Sequence, residues 1–179
     1  MEKRFPIEDQ IQLFAAALKG RVITSADSDY DAMRQVVVAN FDMRPLAVIR
    51  VASAADVAAT INFSRTTNLE LAIRSGGHST TGGSGSHGGL VIDLRDLNQI
   101  DIDAGDRTAW VGTGNTAGDV SRVVEQHGLV VGFGDSGTVG VGGLTLGGGV
   151  GYLIRKHGLT IDSLLAAEVV TAAGEILMV

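Results

Sequence analysis

The sequence predicts an α+β domain with mixed strands and two glycine-rich loops. Three observations carry this. Short apolar runs such as "PLAVIRV" (45–51) and "GLVIDL" (89–94) read as buried strands. Segments of helical length, with start and stop signals, lie between them. Glycine is also clustered: of 25 in the chain, seven fall from Gly76 to Gly89 and ten from Gly132 to Gly151.

The elements follow in order. Ile7, Ile11, Phe14 and Leu18 recur at helical spacing within 7–19, and Gly20 is a stop signal, so a helix is predicted to cover one edge of the domain. Residues 29–40 are weakly helical, and 45–51 is a strand. Ser53, with Asp56 three positions on, opens a helix to about Thr67 in a pattern like a capping box. "LELAIRS" (69–75) is a second strand, and strand–helix–strand order predicts a parallel pair joined by a crossover helix. Residues 89–94 form a third strand. "NQIDID" and "RTAWVGTG" flank Ala104, Gly105 and Asp106 as a hairpin, with the lone Trp110 assigned to the core. Thr116 caps a helix that Gly128 ends, with Asp119 at the third position. "LVVGFG" (129–134) reads as a strand, and 163–179 as an apolar hairpin turning at Ala173 and Gly174. There is no internal repeat, charge block or interdomain linker.

Composition narrows the function. Apolar residues make up 45% of 179, which excludes disorder as a whole-chain reading. A net charge of -6 argues against nucleic acid or an anionic membrane as the main partner. An anionic ligand then has to be held by local groups. With no cysteine, disulfides and cysteine-based metal sites are excluded. His87, His127 and His157 show no ligand spacing, so no metal is expected; His127 suits a helix C-terminus, and His87 is assigned to the surface. "MEKRFPIEDQ" lacks a signal-length apolar core, and no apolar run approaches the roughly 20 residues of a membrane span. The expectation is a cytoplasmic protein.

Two loops carry the candidate chemistry. In "RSGGHS" (74–79), a strand ends in small residues, so successive N–H groups can converge on an anion, with Arg74 adding a charge-assisted contact. A tight turn with a solvent-facing histidine fits the same residues. In "GDSGTVGVGGLTLGGGVG" (134–151), the spacing is not that of a Rossmann fingerprint, and no Gly-Lys-Ser/Thr completes a Walker A loop. Gly147, Gly148 and Gly149 leave backbone open to a flat ligand or diphosphate, or serve close packing within the domain. No nucleophile elbow is present, and Ser136 has no sequence reason to be a nucleophile.

Four stretches, taken together, resemble a known family: "PLAVIRVASAADVAATINFSR" (45–65), "IRSGGHS" (73–79), "GTVGVGGLTLGGGVGYLIRKHGLTID" (137–162) and "LLAAEVVTAAGEIL" (164–177). The chain is similar to the FAD-binding, PCMH-type domain of the vanillyl-alcohol-oxidase family, and within it to the berberine-bridge-enzyme-like oxidases. The resemblance implies FAD between two small α+β subdomains, with 1–44 a helical lead-in and 45–179 the FAD-binding domain. It implies that the backbone of 75–79 holds the diphosphate, and that the cofactor site comprises Arg74, Ser75, Gly76, Gly77, His78, Ser79, Ser136, Gly137, Thr138, Val139, Gly142, Gly143, Gly147, Gly148, Gly149, Gly151, Ile161 and Val169. His78 stands where the family bonds a histidine to the flavin 8α-methyl. Ser136 stands where some members bond a cysteine to the ring, so a second covalent link is not expected. Val139 stands beside the flavin's oxygen-reactive carbon, where valine resembles the oxidases and isoleucine the dehydrogenases.

The activity implied is oxidation of a small-molecule C–OH or C–N substrate by hydride transfer to FAD, with oxygen giving hydrogen peroxide. The family's continuation of the FAD domain and its substrate domain have no counterpart in the sequence, which therefore resembles an N-terminal fragment. No catalytic base is assigned. A homo-oligomer, or a partner chain supplying the missing half, is expected. The alternative is a non-catalytic FAD-binding module.

Overall fold

The computed structural model describes residues 5–38 and 40–179. A first body is built on four strands, β1 (Arg21–Thr24), β2 (Ala47–Arg50), β3 (Leu71–Arg74) and β4 (Leu90–Asp93), in the order β1-β2-β4-β3. β2, β4 and β3 run parallel, and β1 adds antiparallel. The predicted β2–β3 pair is thus corrected: β4 lies between them, with Leu90 opposite both Ala47 and Leu71. The reason is burial. All four residues of β4 are buried, whereas β3 leaves Ile73 exposed and suits an edge. The sequence reading also missed β1, a four-residue strand without a clear period.

Each face of the sheet has its own core. Ile49 and Ile92 pack with Ile11 of α1 (Ile7–Ala15) and with Val57 and Ile61 of α3 (Ala54–Thr67). Val48, Val91, Ala72 and Ile23 pack on the other side with Tyr30, which opens α2 (Tyr30–Arg34). Each such aliphatic side chain contributes roughly 1.5–3 kcal/mol on full burial. Phe14 stacks on Phe63 at 4.3 Å and pins α1 to α3. α1 ends at Ala15, short of the predicted 19, because Ala17 and Leu18 tighten onto the carbonyls of Phe14 and Ala15. α2 is also shorter than the 29–40 stretch, since Gln35 is extended; residue 39 lies outside the described residues.

Ser53 caps α3 by accepting from the Asp56 N–H at 3.3 Å. Asp56 does not complete a capping box. Its buried carboxylate accepts from the N–H groups of Lys19, Gly20 and Ala52 and ties the α1–β1 connection to the start of α3.

A second body holds the hairpin of β5 (Ile100–Asp103) and β6 (Thr108–Val111), together with α4 (Ala117–Glu125) and α5 (Val141–Leu146). Val120, Val124 and Val141 form its core, with Ile100, Ile102, Val111, Leu129, Val131 and Phe133 around them. The predicted Thr116 cap is present, and Asp119 completes it as a capping box. Two expectations fail here. Residues 129–134 form no strand: Leu129, Val131 and Phe133 face the core, but the stretch joins no ladder. Trp110 is 47% exposed, because its neighbour Val111 takes the inward face of the hairpin.

After α6 (Ile154–His157) and a 3-10 turn (Thr160–Ser163), a hairpin of β7 (Glu168–Val170) and β8 (Ile176–Met178) returns to the first body. Val170 packs on the first core, and Arg65 of α3 donates to the Ala173 carbonyl at 3.3 Å.

Candidate functional site

The two glycine-rich loops meet where the two bodies touch. Gly76, just after β3, lies against Gly140, just before α5. A Cβ on Gly76 would stand 2.3 Å from the Gly140 nitrogen, and one on Gly140 would stand 2.1 Å from the Ser75 hydroxyl oxygen. No larger residue fits either position without parting the loops. The second loop is fixed from behind by α4. Ala117 donates to the Val139 carbonyl at 2.9 Å, Gly118 to that of Gly137 at 2.8 Å, and Val141 to that of Asn115 at 3.0 Å. Ser75 ties the first loop across by donating to the Thr113 carbonyl at 2.6 Å.

Above this contact opens a cleft of about 400 Å³. Ile73, Ser75, Gly76, Gly77, His78, Ser79, Gly83 and Ser84 line one side, and Val139, Gly140, Gly143 and Leu144 the other. None of these residues is acidic. Among the described residues, the backbone N–H groups of Gly77, His78 and Ser79 donate no hydrogen bond within the chain. Gly143 leaves open space, since a Cβ there would meet nothing within 4 Å. Free N–H donors, an uncovered backbone and a lining without negative charge together fit an anionic, flat-ended ligand such as a dinucleotide. His78 is half-buried at the edge, its Nε2 3.1 Å from the Thr138 hydroxyl, which in turn lies 3.1 Å from the Ser136 hydroxyl.

The structure redistributes several predicted residues. Arg74 does not line the cleft. Its guanidinium is buried, donates to Asp93 at 2.8 Å and to the carbonyls of Gln35 and Met33, and is spent on the fold. Burial opposes the charge on Asp93, but hydrogen bonds from Arg95, then the positive charges of Arg74 and Arg95, outweigh it and hold the carboxyl below the usual carboxylate range. The Ser79 hydroxyl accepts from the Gly83 N–H at 2.9 Å and shapes the first loop. Gly149 is buried against Thr160 and Gly151 against the Phe133 carbonyl, so close packing explains these two glycines. Gly142 packs beside Thr113, and Gly147 is exposed at the end of α5. Ile161 donates to the Gly148 carbonyl at 3.1 Å and, like Val169 of β7, lies outside the cleft.

The sequence reading missed Ile73, Gly83, Ser84 and Leu144 as lining residues. Ile73 sits in a strand that reads as buried, and the others carry no chemical signature. It also missed a second hollow of about 250 Å³, which shares Ser75 and Gly76 with the cleft and is lined by Gln35, Val36, Val37, Arg74 and Arg95.

A β-sheet body joined to a smaller α+β body through two glycine loops, with a non-acidic cleft between, defines a nucleotide-cofactor-binding domain. Comparison with known proteins gives the family. Residues 45–179 match the FAD binding domain model, and the chain belongs to that family. It is 38% identical over 161 residues to (R)-6-hydroxynicotine oxidase of Paenarthrobacter nicotinovorans, a match covering 90% of this chain and 35% of that protein. The berberine-bridge-enzyme-like 1 structure from Physcomitrella patens superimposes with a TM-score of 0.89 at 27% identity, covering 94% of this chain and 37% of the other. The glucooligosaccharide oxidase structure from Acremonium strictum, which carries 6-S-cysteinyl, 8α-N1-histidyl FAD, gives a TM-score of 0.86 at 28% identity, with coverage of 94% and 36%. The chain therefore spans about a third of the length of these relatives. Among the described residues, no helix is long and apolar enough to cross a membrane.

Proposed function

We propose that this chain is the cofactor-holding portion of an FAD-dependent oxidase that carries its flavin covalently on His78. The observation that carries the reading is the cleft itself, where the His78 loop and the Val139–Gly143 side meet across the Gly76–Gly140 contact. The free N–H groups of Gly77, His78 and Ser79 donate to the diphosphate. Gly143 admits the cofactor close to the backbone. Val139, held by the α4 N-terminus, stands at the ring and leaves room for oxygen. When bound, FAD supplies hydride acceptance from a carbon bearing a hydroxyl or amine and passes the electrons to oxygen, giving hydrogen peroxide. Histidyl attachment in the glucooligosaccharide oxidase relative supports the role of His78. Ser136 offers no thiol for a second link.

The catalytic base and most of the pocket for the small-molecule substrate come from a partner chain or from a continuation of the fold. A second reading, a non-catalytic FAD-binding module, is favoured by one observation: His78 is the only titratable side chain lining the cleft among the described residues. A cytoplasmic setting completes the proposal.

The test is reconstitution of the chain with FAD followed by acid precipitation. A yellow pellet from wild type and a colourless one from His78→Ala are expected. Acid-stable flavin in His78→Ala overturns the assignment. Oxygen consumption on adding a primary amine or sugar, in the presence of the missing portion, separates the oxidase from the binding module.

A further inference from the structure

We infer that Thr138 is a positioning residue that selects the tautomer of His78, holding the ring proton on Nε2 and leaving the Nδ1 lone pair free to bond the flavin. The inference rests on covalent attachment at His78 and adds the group that prepares the imidazole for it. A neutral imidazole carries one N–H, and the partner of one nitrogen decides which. Nε2 lies 3.1 Å from the Thr138 hydroxyl, and that hydroxyl lies 3.1 Å from Ser136. Among the described residues, Nδ1 has no partner.

Two polarities of this chain are chemically distinct. In one, Nε2–H donates to Thr138 and Thr138 donates to Ser136. Nδ1 is then an unprotonated nitrogen at the cleft edge. In the other, Ser136 donates to Thr138 and Thr138 donates to Nε2, which leaves an Nδ1–H without an acceptor and no lone pair for attack. Attachment through Nδ1, as in the 8α-N1-histidyl FAD of the glucooligosaccharide oxidase relative, requires the first polarity.

The attachment balances with this assignment. The Nδ1 lone pair forms the bond to the 8α carbon. That carbon gives up one proton, and the imidazole gives up its Nε2 proton toward Thr138. Two electrons are left on the flavin. Molecular oxygen takes them with two protons and leaves as hydrogen peroxide.

The test begins with the FAD-free chain at about pH 8, where an ordinary imidazole is neutral. Nitrogen-15 NMR, assigned by loss of the signals in His78→Ala, reports which ring nitrogen is protonated. Wild type and Thr138→Ser are expected to show the proton on Nε2, and Thr138→Val a mixture. A wild-type proton on Nδ1, or an unchanged tautomer in Thr138→Val, overturns the inference. The second readout is the rate at which acid-stable flavin appears after adding FAD. Loss of one orienting hydrogen bond predicts a rate about tenfold slower in Thr138→Val, restored in Thr138→Ser. Equal rates in all three overturn the role. Absence of acid-stable flavin in wild type overturns covalent attachment itself and, with it, any part for Thr138 in attachment; the NMR result decides the tautomer independently.

Discussion

Replacing Gly143 with alanine separates cofactor contact from folding. Gly143 lies within the six-residue helix α5 and lines the cleft, and a Cβ built there meets no atom within 4 Å. Alanine is favoured over glycine in a helix interior by about 0.8–1.0 kcal/mol, and nothing around the position opposes that gain. The FAD-free variant is therefore expected to be more stable by about 0.5–1 kcal/mol, the lower end reflecting a short helix. For a chain of this size, this corresponds to a rise in Tm of about 1–4 °C. The same methyl group stands where a ligand approaches the backbone. Inserting a methyl into a close-packed contact costs about 1–3 kcal/mol, which is about ten- to a hundredfold in affinity. Thermal unfolding of the FAD-free chain measures the first effect, and FAD titration by quenching of flavin fluorescence measures the second. A variant that binds FAD as tightly as wild type would refute the contact at Gly143. A variant that is less stable would refute the open space.

Gly140→Ala is the converse case. Its Cβ would lie 2.1 Å from the Ser75 hydroxyl oxygen and 2.2 Å from the Gly76 nitrogen, so it is expected to lower stability by about 1–3 kcal/mol and FAD affinity together; unchanged urea unfolding counts against the contact. Asp93→Asn strands the buried Arg74 guanidinium and is expected to cost about 3–5 kcal/mol, read from the urea midpoint. Because the Asp93 carboxyl is held below its usual range when folded, its contribution is present above about pH 4 and lost as pH falls through the lowered folded value. The acid limb of stability against pH should therefore flatten in Asp93→Asn, and an identical limb contradicts the assignment. Leu146, Tyr152 and Leu165 are all more than four-fifths exposed, so sedimentation velocity at micromolar concentration is expected to show self-association, and a lasting monomer argues against an uncovered interface there.

The sequence by itself determined what depends on neighbours along the chain. The α4 cap was legible because Thr116 and Asp119 bond each other three positions apart. Both hairpins were legible from their turns, the helix after Ser53 from its start signal, and the two loops from glycine composition joined to a strand end. Only the tertiary structure decided what depends on residues far apart in the chain. It placed β4 between β2 and β3, because a strand with all four residues buried belongs at the centre of the sheet, while β3, with Ile73 exposed, suits its edge. It turned Arg74 from the ligand to Asp93, since two strands brought into register set that buried pair side by side. It made Gly76 and Gly140 a single contact between two bodies, and it showed Gly149 and Gly151 as packing glycines while Gly143 alone of the three lines the cleft. A glycine reads the same in every sequence context; whether it faces another backbone or a ligand is settled by what the fold brings opposite it.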